Sequence, residues 1–148
     1  MRVFSIQHDR QGLPEVERTS ACVDDVAARL ISLPEVNGVV VLSTCNRVEV
    51  ILDTTGEASN SILRVALNSS FDPPPAWDLY LGEAALGHVF RVAAGLDSMV
   101  VGEREIAGQL RRALAAAQEA GVASLPLNLA VDEALRTSRR IARETALE

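Results

Sequence analysis

Two apolar runs separated by a very short polar segment constrain the fold more than any other feature of this sequence. Residues 39–42 are Val-Val-Val-Leu, residues 48–52 are Val-Glu-Val-Ile-Leu, and only residues 43–47 lie between them. Two strand-like runs this close together are typical of a hairpin or a sharp bend, so we expect Cys45 at or near its tip. Because the first run is apolar at every position, it predicts a strand that is covered on both faces and is therefore central in its sheet.

The other segments of residues 1–82 predict a mixture of strands and helices. In chain order they are a strand over residues 3–6, a polar loop over 9–19, a helix from the Ser20 cap to about Leu33, a helix over about 57–67, a proline-rich loop over 71–75 and a strand over 77–81. With the hairpin included, the order is β-α-β-β-α-β. This order predicts an α+β fold of the ferredoxin-like kind, a four-stranded antiparallel sheet with helices on one face.

The composition changes after Gly82. Alanine, leucine and arginine dominate residues 83–143, and Pro126 is the only proline among them. Three helices are predicted, over about 83–94, 97–119 and 127–145. We therefore divide the chain into a ferredoxin-like part (1–82) that carries Cys45, and a helical subdomain (83–146) that belongs to the same domain. Leu147 and Glu148 are interpreted as the scar of a cloning tag.

The overall composition is that of an ordinary globular domain. Of 148 residues, 48% are hydrophobic and 23% are charged, which excludes a disordered chain. All 14 basic residues are arginine, and the net charge of −6 argues against a nucleic-acid binder with a generally basic surface. We expect a cytoplasmic protein without a membrane partner, because no apolar run is long enough to span a bilayer and no secretory signal is recognisable. No metal site is predicted, because the two cysteines and two histidines lack ligand spacing.

Cys45 is the candidate nucleophile. A thiol on a tight bend is presented to solvent, and Arg47, two residues later, can favour the thiolate form. Backbone N–H groups freed at such a bend can also stabilise an oxyanion in acyl chemistry. The alternative is a cysteine that fills an apolar niche at a strand end, which is the commoner situation for a free thiol. Cys22, in the first turn of a predicted amphipathic helix, is interpreted as structural.

Three sequence blocks carry a resemblance to a known family. Residues 43–49 (Ser-Thr-Cys-Asn-Arg-Val-Glu) closely resemble a signature of glutamyl-tRNA reductases, which begin the five-carbon route to tetrapyrroles. Residues 88–103 are similar to the second hallmark of that family, and Ile106, Gly108 and Gln109 continue it. Residues 140–146 resemble the stretch that ends the catalytic domain of the family. Two long motifs in the correct order are far more specific than one short pattern.

The resemblance implies an NADPH-dependent reductase that works through a cysteine thioester. Cys45 would attack the ester carbonyl that joins glutamate to tRNA, and hydride would then reduce the thioester to glutamate-1-semialdehyde. The sequence contains no G-x-G-x-x-G motif after a strand, so no cofactor-binding residue is assigned to this chain and NADPH is expected on a domain outside it. We interpret the chain as the catalytic domain of a longer reductase, without its NADPH and dimerisation domains, which alone forms and hydrolyses the thioester.

The resemblance also implies partners and site residues. The partners are glutamyl-tRNA, a second copy in a full-length homodimer, and glutamate-1-semialdehyde aminomutase as acceptor of the product. His88 would lie near the thiol and assist protonation of the leaving group, and Glu49 would orient Arg47. The substrate-binding residues implied are Thr44, Asn46, Arg47, Glu49, Ser98, Glu103, Arg104, Glu105 and Gln109.

The sequence departs from the family pattern at two places. Residues 9–14 replace a basic residue followed by a Thr-Ala-Pro-like run, and Arg104-Glu105 replace Pro-Gln, which puts a negative charge where an anionic substrate would bind. Two other interpretations therefore stay open: a diverged paralogue that binds acyl-tRNA without reducing it, and an interaction module in which Cys45 has no role. The arginines of the last helix can meet tRNA phosphates or pair with nearby carboxylates; they are Arg136, Arg139, Arg140 and Arg143.

Overall fold

A computed structural model describes residues 1–96 and 105–146 of the chain. Its four strands form one antiparallel sheet in the order β2-β3-β1-β4. The elements are β1 (Arg2–Gln7), α1 (His8–Gln11), α2 (Leu13–Ser20), α3 (Val26–Ile31), β2 (Val36–Ser43), β3 (Arg47–Thr54), α4 (Asn60–Asn68), β4 (Asp78–Leu81), α5 (Gly82–Ala93), α6 (Ile106–Glu119) and α7 (Leu125–Ala146). The predicted ferredoxin-like sheet and hairpin are confirmed.

Both faces of the sheet are covered, and each face has its own apolar core. Side chains of a strand alternate between the faces, so Phe4 packs with α2, α3 and α4, whereas its neighbour Val3 packs with α5, α6 and α7. The same alternation separates Val50 from Ile51 on β3. The first core corresponds to the predicted helices on one face, and the helical subdomain supplies the second.

The position of β2 differs from the prediction. Its apolar run was expected in a central strand, but β2 is an edge strand, and β3 and β1 are central. Val39 and Val40 are nevertheless fully buried, because helices cover both faces of β2. A continuous apolar run indicates that both faces of a strand are covered, but it does not indicate whether the strand has a hydrogen-bonded neighbour on one side or on both. One backbone N–H group on the free edge of β2 is hydrogen-bonded, since Val39 N–H donates to the carbonyl of Val122 at 2.8 Å.

The predictions for residues 9–33 were wrong in detail. Residues 9–19 were predicted as a loop, yet they form α1 and most of α2, and Ser20 ends α2 instead of capping the next helix. Pro14 lies in the first turn of α2, where a missing N–H removes no helical hydrogen bond. Val16 and Thr19 are buried on its inner side. The following helix, predicted to reach Leu33, is limited to α3.

The helical subdomain is fixed to the sheet at the start of α7. A Cβ on Gly38 of β2 would lie 2.6 Å from the hydroxyl of Ser124, and that hydroxyl donates to Asp53 Oδ2 at 2.7 Å.

Of the helix predicted over 97–119, residues 106–119 form α6, and Ile106 and Leu110 of its apolar stripe are buried. Residues 97–104 and 147–148 lie outside the described residues. Within the described part of the chain, none of the helices is both long and apolar enough to cross a membrane.

Candidate functional site

The hairpin between β2 and β3 presents Cys45 to solvent, as the sequence predicts. Ser43 and Val48 form the last strand pair before the turn. The Thr44 hydroxyl accepts the backbone N–H groups of Asn46 and Arg47 at 3.1 and 3.2 Å, and Thr44 N–H donates to the Arg47 carbonyl at 2.9 Å. Thr44 is buried while Cys45 is exposed. The threonine therefore shapes the turn that holds the thiol outward.

The strand after Cys45 buries an ion pair. Arg47 and Glu49 are two residues apart on β3, so both point toward the helical subdomain. Arg47 Nη1 lies 3.0 Å from Glu49 Oε1, and the two side chains are only 3% and 1% exposed. The expectation that Glu49 orients the guanidinium agrees with this geometry. Because both charges are buried, their pairing offsets part of the cost of removing them from water.

Glu49 also holds His88, which enters from α5. The Nε2 atom of His88 lies 3.0 Å from both carboxylate oxygens of Glu49, and the histidine is fully buried. The ring of Tyr80 stacks on the imidazole, with centroids 4.0 Å apart and an angle of 11° between the planes. These contacts connect His88 to the hairpin through Glu49 and Arg47. Its role as the acid for the leaving group stays a prediction.

Sequence analysis missed two members of this network, Ser5 and Gln7. The Ser5 hydroxyl donates to Glu49 Oε1 at 2.9 Å, and Gln7 Nε2 donates to the Ser5 hydroxyl at 2.9 Å. Both are buried on β1, where Ser5 pairs with Glu49 and Gln7 pairs with Arg47. The available signal was that Ser5 lies in the predicted strand and that Gln7, two positions later, is on the same face if the strand extends to it. Their partners became known only with the strand register.

A recess of about 260 Å³ lies beside Cys45. It is lined by Thr44 and Cys45 of the hairpin, by Val16, Glu17 and Ser20 of α2, and by Ala21 directly after α2. The two elements are also connected by a 2.7 Å hydrogen bond between the hydroxyls of Ser20 and Ser43. Val16 and Glu17 were missed because residues 9–19 were predicted as a loop, and Ser20 because it was predicted to cap the following helix. They place one carboxylate, that of Glu17, in the same recess as the thiol.

The segment that departs from the family pattern, residues 9–14, contacts the beginning of β4. Arg10 Nε and Gln11 Nε2 donate to Asp78 Oδ2 at 2.5 and 2.9 Å. Partial burial opposes ionisation of Asp78, but the hydrogen bonds from Arg10 and Gln11, with the charges of Arg10 and His88, outweigh it and lower the pKa of this carboxyl below its usual value. The segment therefore holds α1 against β4.

The other predicted substrate residues are only partly described. Ser98, Glu103 and Arg104 lie outside the described residues. Glu105 is exposed directly before α6, and Gln109 is half-buried on that helix. Whether these residues contact a substrate stays a prediction. The described residues contain no group of three or more His, Cys, Asp or Glu side chains placed to hold a metal ion.

The arginines of α7 surround an open depression of about 750 Å³. Arg136 pairs with Asp132 and Glu133 at 3.2 Å each, which is the ordinary surface pairing considered from the sequence. The arginines that line the depression are Arg136, Arg139, Arg140 and Arg143. Contact of this surface with tRNA stays a prediction.

The fold and the site together define a ferredoxin-like α+β domain with an exposed thiol on a hairpin, next to a buried Arg-Glu-His network. Comparison with known proteins extends this description. A family model described as "Glutamyl-tRNAGlu reductase, N-terminal domain" matches residues 4–145. The chain therefore belongs to the family of glutamyl-tRNA reductase N-terminal domains, which confirms the resemblance seen in the sequence.

Individual relatives agree with this assignment. The chain is 41% identical over 151 residues to a glutamyl-tRNA reductase of Cutibacterium acnes, covering 97% of the chain and 34% of the relative. It is 43% identical over 157 residues to one of Micrococcus luteus, covering 99% and 35%. Among solved structures, a glutamyl-tRNA reductase from Methanopyrus kandleri superposes with a TM-score of 0.77 at 27% identity, over 97% of this chain and 34% of that one. The chain spans about a third of the length of these relatives.

Proposed function

We propose that this chain performs the acylation half of the glutamyl-tRNA reductase reaction, with Cys45 as the nucleophile. The observation that carries the proposal is the exposed Cys45 thiol on a turn shaped by Thr44, inside the motif shared with the family. In this step the Cys45 thiolate attacks the ester carbonyl carbon of glutamyl-tRNA. A C–S bond forms, the C–O bond to the terminal ribose breaks, and the ribose oxygen takes up a proton. The product is a glutamyl thioester on Cys45 and free tRNA.

Reduction requires a group that this chain does not hold. NADPH, bound elsewhere in a longer protein, would supply the hydride that converts the thioester to glutamate-1-semialdehyde. The sequence has no glycine-rich dinucleotide fingerprint, so the residues present do not fit that cofactor. We therefore expect the chain alone to lose the glutamyl group slowly to water. Production of semialdehyde by the purified chain with NADPH would contradict this expectation.

We assign two charged side chains, Arg47 of β3 and Glu17 of α2, to the two ends of a glutamyl group. The planar guanidinium of Arg47, oriented by Glu49, is suited to bidentate binding of the substrate's side-chain carboxylate. Glu17 lies in the recess that Cys45 lines, and within the described residues it forms no salt bridge. We assign it to the α-ammonium group, which is one carbon away from the carbonyl that is attacked.

Acylation can be tested with radiolabelled glutamyl-tRNA. The wild-type chain is expected to carry label on an acidic denaturing gel and to release it on treatment with hydroxylamine, as a thioester does. Cys45→Ser should abolish the label. Cys22→Ser is the matched control, because Cys22 is also an exposed free thiol, and it should retain the label. An unlabelled wild type, or equal labelling of Cys45→Ser, would refute the proposal and favour a module that binds without chemistry.

Three further expectations rest on the family alone. They are a homodimer of the full-length protein, transfer of the semialdehyde to glutamate-1-semialdehyde aminomutase, and a cytoplasmic location. The comparisons support glutamyl-tRNA as the substrate through the names of the relatives. Size-exclusion chromatography of the full-length protein and co-purification with the aminomutase test the first two.

A further inference from the structure

A buried arginine lies at the end of the sheet opposite Cys45. Arg2 begins β1, whereas Gln7, at the other end of this strand, pairs with Arg47 beside the hairpin. Only 9% of the surface of Arg2 is exposed, and its guanidinium donates from Nη1 to Asn60 Oδ1 at 2.8 Å. A neutral amide is therefore the hydrogen-bond acceptor of a buried positive charge.

No carboxylate of the described residues lies within salt-bridge distance of Arg2. Within residues 1–96 and 105–146, neither Arg2 nor Arg64 forms a salt bridge. Arg64 lies one helical turn beyond Asn60 on α4, with its guanidinium carbon 5.4 Å from the centroid of the Phe4 ring. Phe4 and Arg2 point to the same face of β1. Two cations thus share this part of the sheet, although the chain as a whole is acidic.

Arg2 opens onto a depression of about 290 Å³. Its lining combines polar residues, two glycines and apolar residues: Arg2, Thr54, Thr55 and Asn60; Gly56 and Gly82; and Met1, Ala58 and Leu81. Glu57 and Glu83 directly follow two of these residues in the sequence, but both are exposed and neither lines the depression. The depression is therefore open to a small ligand and has positive charge at its inner wall.

We propose that this depression binds a phosphate group. A buried arginine is rarely left without an anionic partner, because the cost of removing its charge from water is then not offset. The guanidinium of Arg2 has N–H groups beyond the one given to Asn60, and its planar arrangement matches two phosphate oxygens. Asn60 uses its oxygen for Arg2, so its Nδ2 group is a further donor. This site is independent of the proposed reaction at Cys45.

The Asn60→Asp variant gives the sharpest test. It places a carboxylate where Arg2 already has its acceptor, so the protein supplies its own anion. We expect this variant to fold at least as stably as the wild type and to lose phosphate binding. Arg2→Gln, which removes the cation, should weaken binding at least tenfold. Arg111→Gln is the control, because Arg111 is exposed on α6 and does not line the depression, so the same charge is removed outside the proposed site.

Binding is measured by NMR titration of ¹⁵N-labelled chain with inorganic phosphate, at constant ionic strength because screening affects all surface charges. Shifts confined to Arg2, Asn60 and residues 54–56, lost in Asn60→Asp and kept in Arg111→Gln, support the proposal. A second titration, with a single-stranded RNA tetranucleotide without terminal phosphates, distinguishes the possible sources of the phosphate group. Binding of this RNA indicates a polynucleotide backbone, and binding of inorganic phosphate alone indicates a free phosphate or monoester. Absence of binding by both probes, or equal binding by Asn60→Asp, overturns the proposal.

Discussion

Glu49→Gln is the substitution that most directly tests the buried network beside the hairpin. In the wild type, the carboxylate oxygens of Glu49 accept hydrogen bonds from Ser5 Oγ, Arg47 Nη1 and His88 Nε2, at distances of 3.0 Å or less. A glutamine has one oxygen for these three groups, and its NH₂ group would face another donor. The substitution also removes the Glu49 charge that lies 3.0 Å from the buried guanidinium of Arg47.

The expected loss of stability is large for a single isosteric change. Removing one partner of a buried ion pair costs about 3–5 kcal/mol. For a chain of this size, each kcal/mol shifts the melting temperature by about 3 °C, so Glu49→Gln should melt about 9–15 °C below the wild type. Urea unfolding followed by circular dichroism gives the free energy, and a thermal scan gives the midpoint.

The chain contains a matched control for this change. Glu133 also lies beside an arginine, Arg136, at 3.2 Å, but those side chains are 54% and 55% exposed. Glu133→Gln should therefore cost at most about 0.5 kcal/mol. The double variant Arg47→Met, Glu49→Gln removes the buried cation together with the carboxylate and should be more stable than Glu49→Gln alone. Equal stability of Glu49→Gln and Glu133→Gln, or a double variant less stable than Glu49→Gln, would refute the reasoning.

Three other substitutions give measurable outcomes. Gly38→Ala should cost about 1–3 kcal/mol in urea unfolding, because its Cβ would lie 2.6 Å from Ser124 Oγ. The pKa of Asp78 is lowered in the folded protein, so its stabilising contribution is complete above the unfolded pKa of about 3.9 and is lost as the pH falls through the folded pKa. The free energy of unfolding of Asp78→Asn should therefore decrease less between pH 5 and pH 3 than that of the wild type. Glu17→Gln should raise the KM for acylation by glutamyl-tRNA about fivefold, as expected for a partly solvated ion pair.

Each of these changes has a control of the same type in the chain. Gly87→Ala, in α5 with nothing within 4 Å of the added carbon, should gain up to about 1 kcal/mol. Asp24→Asn and Glu119→Gln alter exposed carboxylates, and they should leave the pH dependence and the KM unchanged. A Gly38→Ala variant as stable as the wild type would contradict the close approach. Acid profiles of Asp78→Asn and Asp24→Asn that coincide, or an unchanged KM in Glu17→Gln, would contradict the other two.

Local features of the sequence determined the elements and the position of the thiol. The apolar runs at residues 39–42 and 48–52, with five residues between them, specified the hairpin, and Cys45 was placed correctly at its exposed tip. The same local information specified β1, β4, α4, α5 and α7 to within a few residues. These features depend on side-chain periodicity and turn chemistry over short distances, which one sequence is sufficient to show.

Only the tertiary structure decided which side chains meet. The carboxylate of Glu49 binds groups that are 44 residues away at Ser5 and 39 residues away at His88, and that choice depends on strand register and on the docking of α5. The edge position of β2 and the contribution of α2 to the Cys45 recess were also invisible in the sequence. In each case the deciding interaction is long-range, because hydrophobic periodicity specifies which face of an element is buried but not which element covers it.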